Sequence, residues 1–194
     1  MQRRTILLII VILFQIFFAN CSKKEKFPVL KGPYLGQKPP GMTPALFAPG
    51  IVSTKRVELN SVFSPDGKEF YFAATEGDVD IVYYTEQIDG QWTKPQPFPF
   101  SGNDIDVDMS FSPDGSRLYF CSNRKTSESI GGMDIWFSER KEKGWSEPKN
   151  LGVPVNSPKH DTYPIFTLND GLYFGSERKE TRISIILNLL MGGI

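Results

Sequence analysis

Short apolar runs separated by polar turns fill the chain from about residue 56 to residue 179. Val62-Phe63, Phe70-Tyr71-Phe72 and Ile81-Val82-Tyr83-Tyr84 come first, followed by Leu118-Tyr119-Phe120, Ile135-Trp136-Phe137 and Leu172-Tyr173-Phe174. Runs this short, rich in aromatic and β-branched residues, predict strands. One turn joins them three times. Ser64-Pro65-Asp66-Gly67 precedes Phe70, and Ser112-Pro113-Asp114-Gly115 precedes Leu118. Serine at the first place can bond back to the backbone, proline at the second has its φ preset, and glycine at the fourth accepts a positive φ. The third copy, Leu168-Asn169-Asp170-Gly171, lacks the proline. Its turn is expected to survive with less preorganisation.

Each of the first two hairpins continues in the same way. Asp80 to Tyr84 is followed by the turn Asp89-Gly90 and then Trp92-Thr93-Lys94-Pro95. Gly131-Gly132-Met133-Asp134-Ile135-Trp136-Phe137 is followed by a charged turn ending at Gly144 and then Trp145-Ser146-Glu147-Pro148. That makes four short strands per unit. A repeat of roughly 40–50 residues with four strands has the size of one propeller blade.

These residues resemble the WD-repeat-like, TolB-type β-propeller repeat over about residues 56–179. The likeness rests on Phe-Ser-Pro-Asp-Gly, Tyr-Phe, Ser122-Asn123-Arg124, Gly131 to Ile135, and Trp145 to Pro148. The resemblance implies an all-β fold of four-stranded antiparallel blades, here an incomplete propeller of two full repeats and part of a third. It implies an envelope protein of Gram-negative bacteria, in a family that usually has six blades. Some members are fused to OmpA-like peptidoglycan-binding domains, and most act as binding and scaffolding modules.

The third repeat leaves the pattern after Ser176-Glu177-Arg178-Lys179. An apolar tail, residues 180–194, replaces the expected Gly-Gly-x-Asp-Ile, and no tryptophan follows Trp145. Propellers close with typically 4–8 blades, each buried against its neighbours. An arc of two and a half blades is therefore expected to leave two apolar faces wet. Three accounts stand: a truncated or frame-shifted product, closure by self-association or by another protein, and a small open assembly. The tail can also be read as a strand or helix of its own; it is too short for a membrane span.

The N-terminus has a basic start, Arg3-Arg4, and then Ile6 to Ala19, which is apolar except for Gln15. This is the pattern of a secretory signal over residues 1–20. Phe18-Ala19-Asn20-Cys21 resembles a bacterial lipoprotein box with Cys21 as the lipid-attachment residue, although Asn20 stands where such boxes carry a small residue. The alternative is an ordinary cleaved signal with an incidental cysteine. A lipid at Cys21 anchors the chain to the membrane without spanning it. Ser22 fits outer-membrane rather than inner-membrane sorting, by resemblance. Residues 21–55, rich in Pro and Gly, read as a tether and lead-in. Pro33 to Gly41 can alternatively wrap the first blade.

Charge and chemistry narrow the function. Lys+Arg and Asp+Glu are balanced at 22 each, and no basic stripe suggests nucleic acid. Cys121 lies in a predicted strand and reads as a buried structural thiol. The only histidine, His160, has no Gly-x-Ser-x-Gly elbow to serve and reads as a loop residue. Asp104, Asp106 and Asp108 invite a calcium reading, but Met109 and Gly115 occupy positions where an EF-hand needs glycine and glutamate. No carboxylate pair is singled out for glycoside hydrolysis. Arg124 and Arg178 can face a channel or tie blades together; Trp92, Trp136 and Trp145 read as blade packing. No catalytic residue, metal or cofactor is expected. The function expected is non-catalytic binding of a protein, peptide or cell-wall component. The alternative is a fragment of a propeller hydrolase acting on glycans or peptides.

Overall fold

The computed structural model describes residues 27–169 and 171–179, and the backbone of residues 183–188. Cys21, the signal segment and residues 189–194 lie outside the described residues. The fold is all-β, built from antiparallel sheets in chain order. The first sheet contains β1 (Glu58–Phe63), β2 (Glu69–Glu76), β3 (Val79–Ile88) and the short β4 (Gln91–Trp92), with β5 (Gln96–Pro97) also paired to β3. The second contains β6 (Asp106–Phe111), β7 (Arg117–Ser122), β8 (Asp134–Glu139) and β9 (Lys149–Asn150). The third contains β10 (Asp161–Phe166), β11 (Gly171–Ser176) and β12 (Ile183–Asn188). The start of the apolar tail is thus a strand, with Leu172 opposite Leu187 and Ser176 opposite Ile183.

The repeated turn explains two of the hairpins atom by atom. The Ser64 hydroxyl donates to Asp66 (2.6 Å) and accepts from the Glu69 amide (2.9 Å). Ser112 does the same with Asp114 (2.6 Å) and Arg117 (2.9 Å). Gly67 and Gly115 sit at φ 70° and 71°, where a side chain would be strained. The third hairpin forms as expected, but its turn has a different length. Phe166 faces Leu172 across it, whereas Phe63 faces Phe70 and Phe111 faces Leu118. It is one residue shorter, so Gly171 starts a strand instead of closing the turn. Thr167 now holds it, its hydroxyl accepting from the Gly171 amide at 2.9 Å.

The period-2 alternation of each central strand feeds two cores. Tyr71 and Ala73 of β2 join Met109, Phe111, Leu118, Phe120 and Trp136 between the first and second blades. Tyr119 and Cys121 of β7, with Ile135 and Phe137, meet Leu172 and Phe174 of the third blade. Phe70, Phe72 and Ala74 face the other way, toward the lead-in, where Leu35, Ala48 and Val52 cover them. The wet face expected on the first blade is therefore filled, and residues 27–55 wrap it. Trp92 fixes this wrap by donating its indole N–H to the Gly32 carbonyl at 2.7 Å. On the third blade Ile165 and Tyr173 are exposed.

Strands β1 and β10 both lie against β6, so the first strands of the three blades form the inner wall. Each carries a bulge at the same place, between Glu58 and Ser61, Val107 and Ser110, and Thr162 and Ile165. Asp108 and Tyr163 sit in these bulges, both at φ 56°.

Candidate functional site: an aromatic cleft beside the first blade

Two arginine clusters brace the first strands of the second and third blades. The Arg124 guanidinium donates to Asp106 of β6 at 2.8 Å, to the Phe100 carbonyl between the blades at 3.2 Å, and to the Ser122 hydroxyl at 2.9 Å. It also stacks on Phe120 and Trp136, 5.0 and 5.4 Å from the ring centres. The third blade repeats the arrangement: Arg178 donates to Asp161 at 3.0 Å, to Ser176 at 2.7 Å, and to the carbonyls of Pro154 and Val155. Both aspartates are buried. Each arginine thus clamps a blade's first strand to the segment entering that blade. This is the tying arrangement, and the Ser-x-Arg motif is its sequence mark.

The aspartates of the calcium reading go to separate duties. Asp106 pairs with Arg124, whereas Asp108 sits beside the Cys121 thiol; among the described residues no three His, Cys, Asp or Glu come together to hold a metal ion. Cys121 is fully buried, and burial first, then the Asp108 charge, raise its pKa. His160 lies in an exposed loop with its ring against Gly132, where an added Cβ would come within 2.5 Å of Cε1. At Gly131 a Cβ would meet the Ser157 and Lys159 carbonyls at 2.3 and 2.2 Å. Gly131 therefore lets this loop approach, while at Gly132 the exposed His160 ring would have to move. Asp134 then accepts from the amides of Ile130 and Gly131 at 2.7 and 2.9 Å, closing the loop before β8. Trp136 is buried between blades, and Trp145 donates to the Tyr71 hydroxyl at 3.2 Å, so both serve packing.

A different feature has the form of a binding site. Where the lead-in crosses the first blade it leaves an open cleft of about 550 Å³, within the range of ligand sites, ~300–1,000 Å³. Tyr34, Phe47, Phe63 and Phe70 supply aromatic walls, with Pro40 and Ser61 at the margin. The rings brace one another: Phe63 is 4.6 Å from Phe70 and 5.8 Å from Tyr34, centre to centre, and Phe47 is 5.0 Å from Phe70. Tyr34, Leu35 and Gly36 occupy consecutive left-handed conformations, φ 51°, 54° and 78°. Two non-glycine residues in that region are costly and cluster at functional sites. Leu35 holds the conformation by burying itself beneath, while Tyr34 faces the cleft. Gln37 clasps the neighbouring loop, which carries Phe47. Its side chain donates to the Leu46 carbonyl at 2.9 Å and accepts from the Ala48 amide at 2.8 Å.

Among the described residues the cleft wall holds no carboxylate, imidazole or thiol. Its chemistry is that of rigid aromatic and proline surfaces with a few hydrogen-bonding groups. Such a surface can hold an apolar or aromatic group and orient it, with the Lys38 ammonium and the Tyr34 hydroxyl as its polar handles. The reading of Pro33 to Gly41 as a wrap identified one wall. The opposing wall comes from Ser61 to Phe70, which begins twenty residues beyond Gly41, and nothing in the local pattern joins the two.

No protein-family model and no curated protein matches the chain. Among solved structures it is similar to TolB from Acinetobacter baumannii, at 20% identity and a TM-score of 0.49, over 67% of this chain and 29% of that one. It is also similar to the putative TolB from Agrobacterium tumefaciens, at 23% identity and a TM-score of 0.48, over 70% of this chain and 47% of that one. The chain spans less than half the length of either.

Proposed function

We propose that this chain is a non-catalytic binding module of the bacterial cell envelope, anchored by lipid at Cys21, that takes a protein or peptide segment into the aromatic cleft. The observation that carries the reading is the cleft itself: four braced rings held open by a lead-in whose backbone is strained at Tyr34 and Leu35. Aromatic anchors in rigid settings contribute most of the energy in peptide and protein recognition. A cleft lined by both proline and aromatic side chains suits an extended peptide better than a compact ligand.

The test is a displayed library of random peptides panned against the full chain. Selected peptides should lose about tenfold or more in affinity when Ser61→Trp fills the cleft, as for loss of a hot spot. They should be indifferent to Lys149→Gln on the second blade. Equal affinity for the Ser61→Trp chain would place recognition elsewhere. Turnover of a peptide or glycan panel by the purified chain would replace the binding reading with the hydrolase one. Anchoring is tested separately: Cys21→Ala should release the protein from membranes, and density-gradient fractionation should find the parent chain with the outer membrane.

A further inference from the structure

A second cleft, of about 940 Å³, opens on the same lead-in where the described chain begins. Its apolar wall is Phe27, Ile51, Tyr83 and Pro97, and its cations are Arg56 and Lys94; among the described residues no Asp or Glu lines it. Arg56 stacks over the Tyr83 ring, 4.7 Å from its centre, and donates to Glu76 at 2.8 Å, the same carboxylate that accepts from the Tyr83 hydroxyl at 2.6 Å. Part of its charge is therefore answered, while Lys94 stands exposed at the rim.

The position of this cleft along the chain gives it meaning. Phe27 follows Cys21 by six residues, and an extended segment of that length spans at most about 20 Å. The intervening sequence, Ser22-Lys23-Lys24-Glu25-Lys26, carries three lysines and one acid. If Cys21 is in the membrane, the cleft cannot be far from the surface, and clustered cations there attract anionic lipid.

From this juxtaposition we propose that the Phe27 cleft seats the anionic headgroup of a membrane phospholipid, which turns the outer edge of the first blade toward the bilayer. The proposal rests on the lipid-anchor reading. An amphiphile with a negative head matches a cleft with apolar walls and cations at the rim. The aromatic cleft and the second and third blades are then held off the surface, open to the aqueous space.

The test uses the mature lipoprotein reconstituted in two vesicle types, phosphatidylcholine alone and phosphatidylcholine mixed with phosphatidylglycerol. The acetylation rate of Lys94 is measured against that of Lys149 on the second blade. On anionic vesicles Lys94 should react about fivefold more slowly, in line with the attraction of one cation to such a surface. On zwitterionic vesicles its rate should match that of the chain in detergent. Arg56→Gln should weaken the protection. Equal protection on both vesicle types, or none on either while the chain stays bound, overturns the cleft proposal alone. A wild-type chain that is not retained on vesicles overturns the anchor reading and this proposal with it. Protection in detergent by millimolar inorganic phosphate would assign the cleft to a free anion and overturn the lipid assignment.

Discussion

Arg140 of the second blade lays two guanidinium nitrogens on the two carboxylate oxygens of Glu69 in the first, at 2.9 and 2.8 Å. The same guanidinium stacks on Trp145, 4.3 Å from the ring centre, and Trp145 donates to Tyr71, which donates to Glu69 at 3.0 Å. Burial, reinforced by the Glu69 charge, keeps the Tyr71 hydroxyl protonated far above the ordinary phenol range. The four residues form a closed circuit across the blade interface. The ion pair is partly solvated, so its coupling should be modest. A double-mutant cycle of Arg140→Ala and Glu69→Gln in urea denaturation is expected to give about 0.5–1 kcal/mol. A coupling near zero would reduce the circuit to surface decoration.

The Arg124–Asp106 pair should behave differently, because Asp106 is 1% exposed. Arg124→Ala leaves a buried carboxylate without its partner and should cost about 3–5 kcal/mol. Replacing both, as Arg124→Met with Asp106→Leu, should recover most of that loss, since an apolar pair needs no compensation. Urea midpoints of the two variants decide the matter. A double variant as unstable as Arg124→Ala would show that the contacts to Phe100 and Ser122, and not the charge pairing, hold the blade.

The repeated turns predict an acid response. Hydrogen bonds from the Ser64 and Ser112 hydroxyls, then from backbone amides, lower the pKa values of Asp66 and Asp114 below the ordinary aspartate value of 3.8. A carboxylate with a lowered folded-state pKa stabilises the fold above the unfolded value, and that stability disappears as the pH falls through the folded value. The contribution should therefore be constant above about pH 5 and decline below the ordinary value. Asp66→Asn with Asp114→Asn should flatten the decline in thermal melts taken from pH 6 downward. An unchanged acid limb would assign it to other carboxylates. Ser112→Ala, which also strands the Arg117 amide, should cost about 1–2 kcal/mol at neutral pH.

Cys121 should be silent in the native protein. Its burial raises the thiol pKa and removes access, and the thiolate is the reactive form. Labelling by a thiol reagent should be slow in buffer and complete in denaturant, with a native rate that follows global unfolding. Rapid native labelling would mean that the second and third blades separate readily.

How much of this was legible in the sequence depends on the range of the interaction. The Ser-Pro-Asp-Gly turns are closed by bonds within six residues, and their geometry follows from residue preferences alone. The antiparallel blades and the incomplete third unit followed from the repeat. The third turn misled, because Asp170-Gly171 copies the ending of the other two while the chain is one residue shorter, and only strand register reveals that. The fate of the lead-in was readable only as one of two alternatives, since Pro and Gly suit an extended tether and a wrapped strap equally well. The choice was made by apolar residues far apart, Leu35, Ala48 and Val52 against Phe70 and Phe72. The aromatic cleft lies in the same blind spot, its walls joined only by folding.

The lead-in also makes the two ends of the arc unequal. A blade surface from another copy or another protein cannot simply add to the first blade, because Leu35, Ala48 and Val52 are already there. It must compete with a segment tied to the same chain and so present at high effective concentration. Addition at that end is an exchange, slow and opposed. At the third blade, where Ile165 and Tyr173 face solvent, it has no such resident to displace among the described residues. Assembly of this protein, whatever its partner, should therefore have a direction.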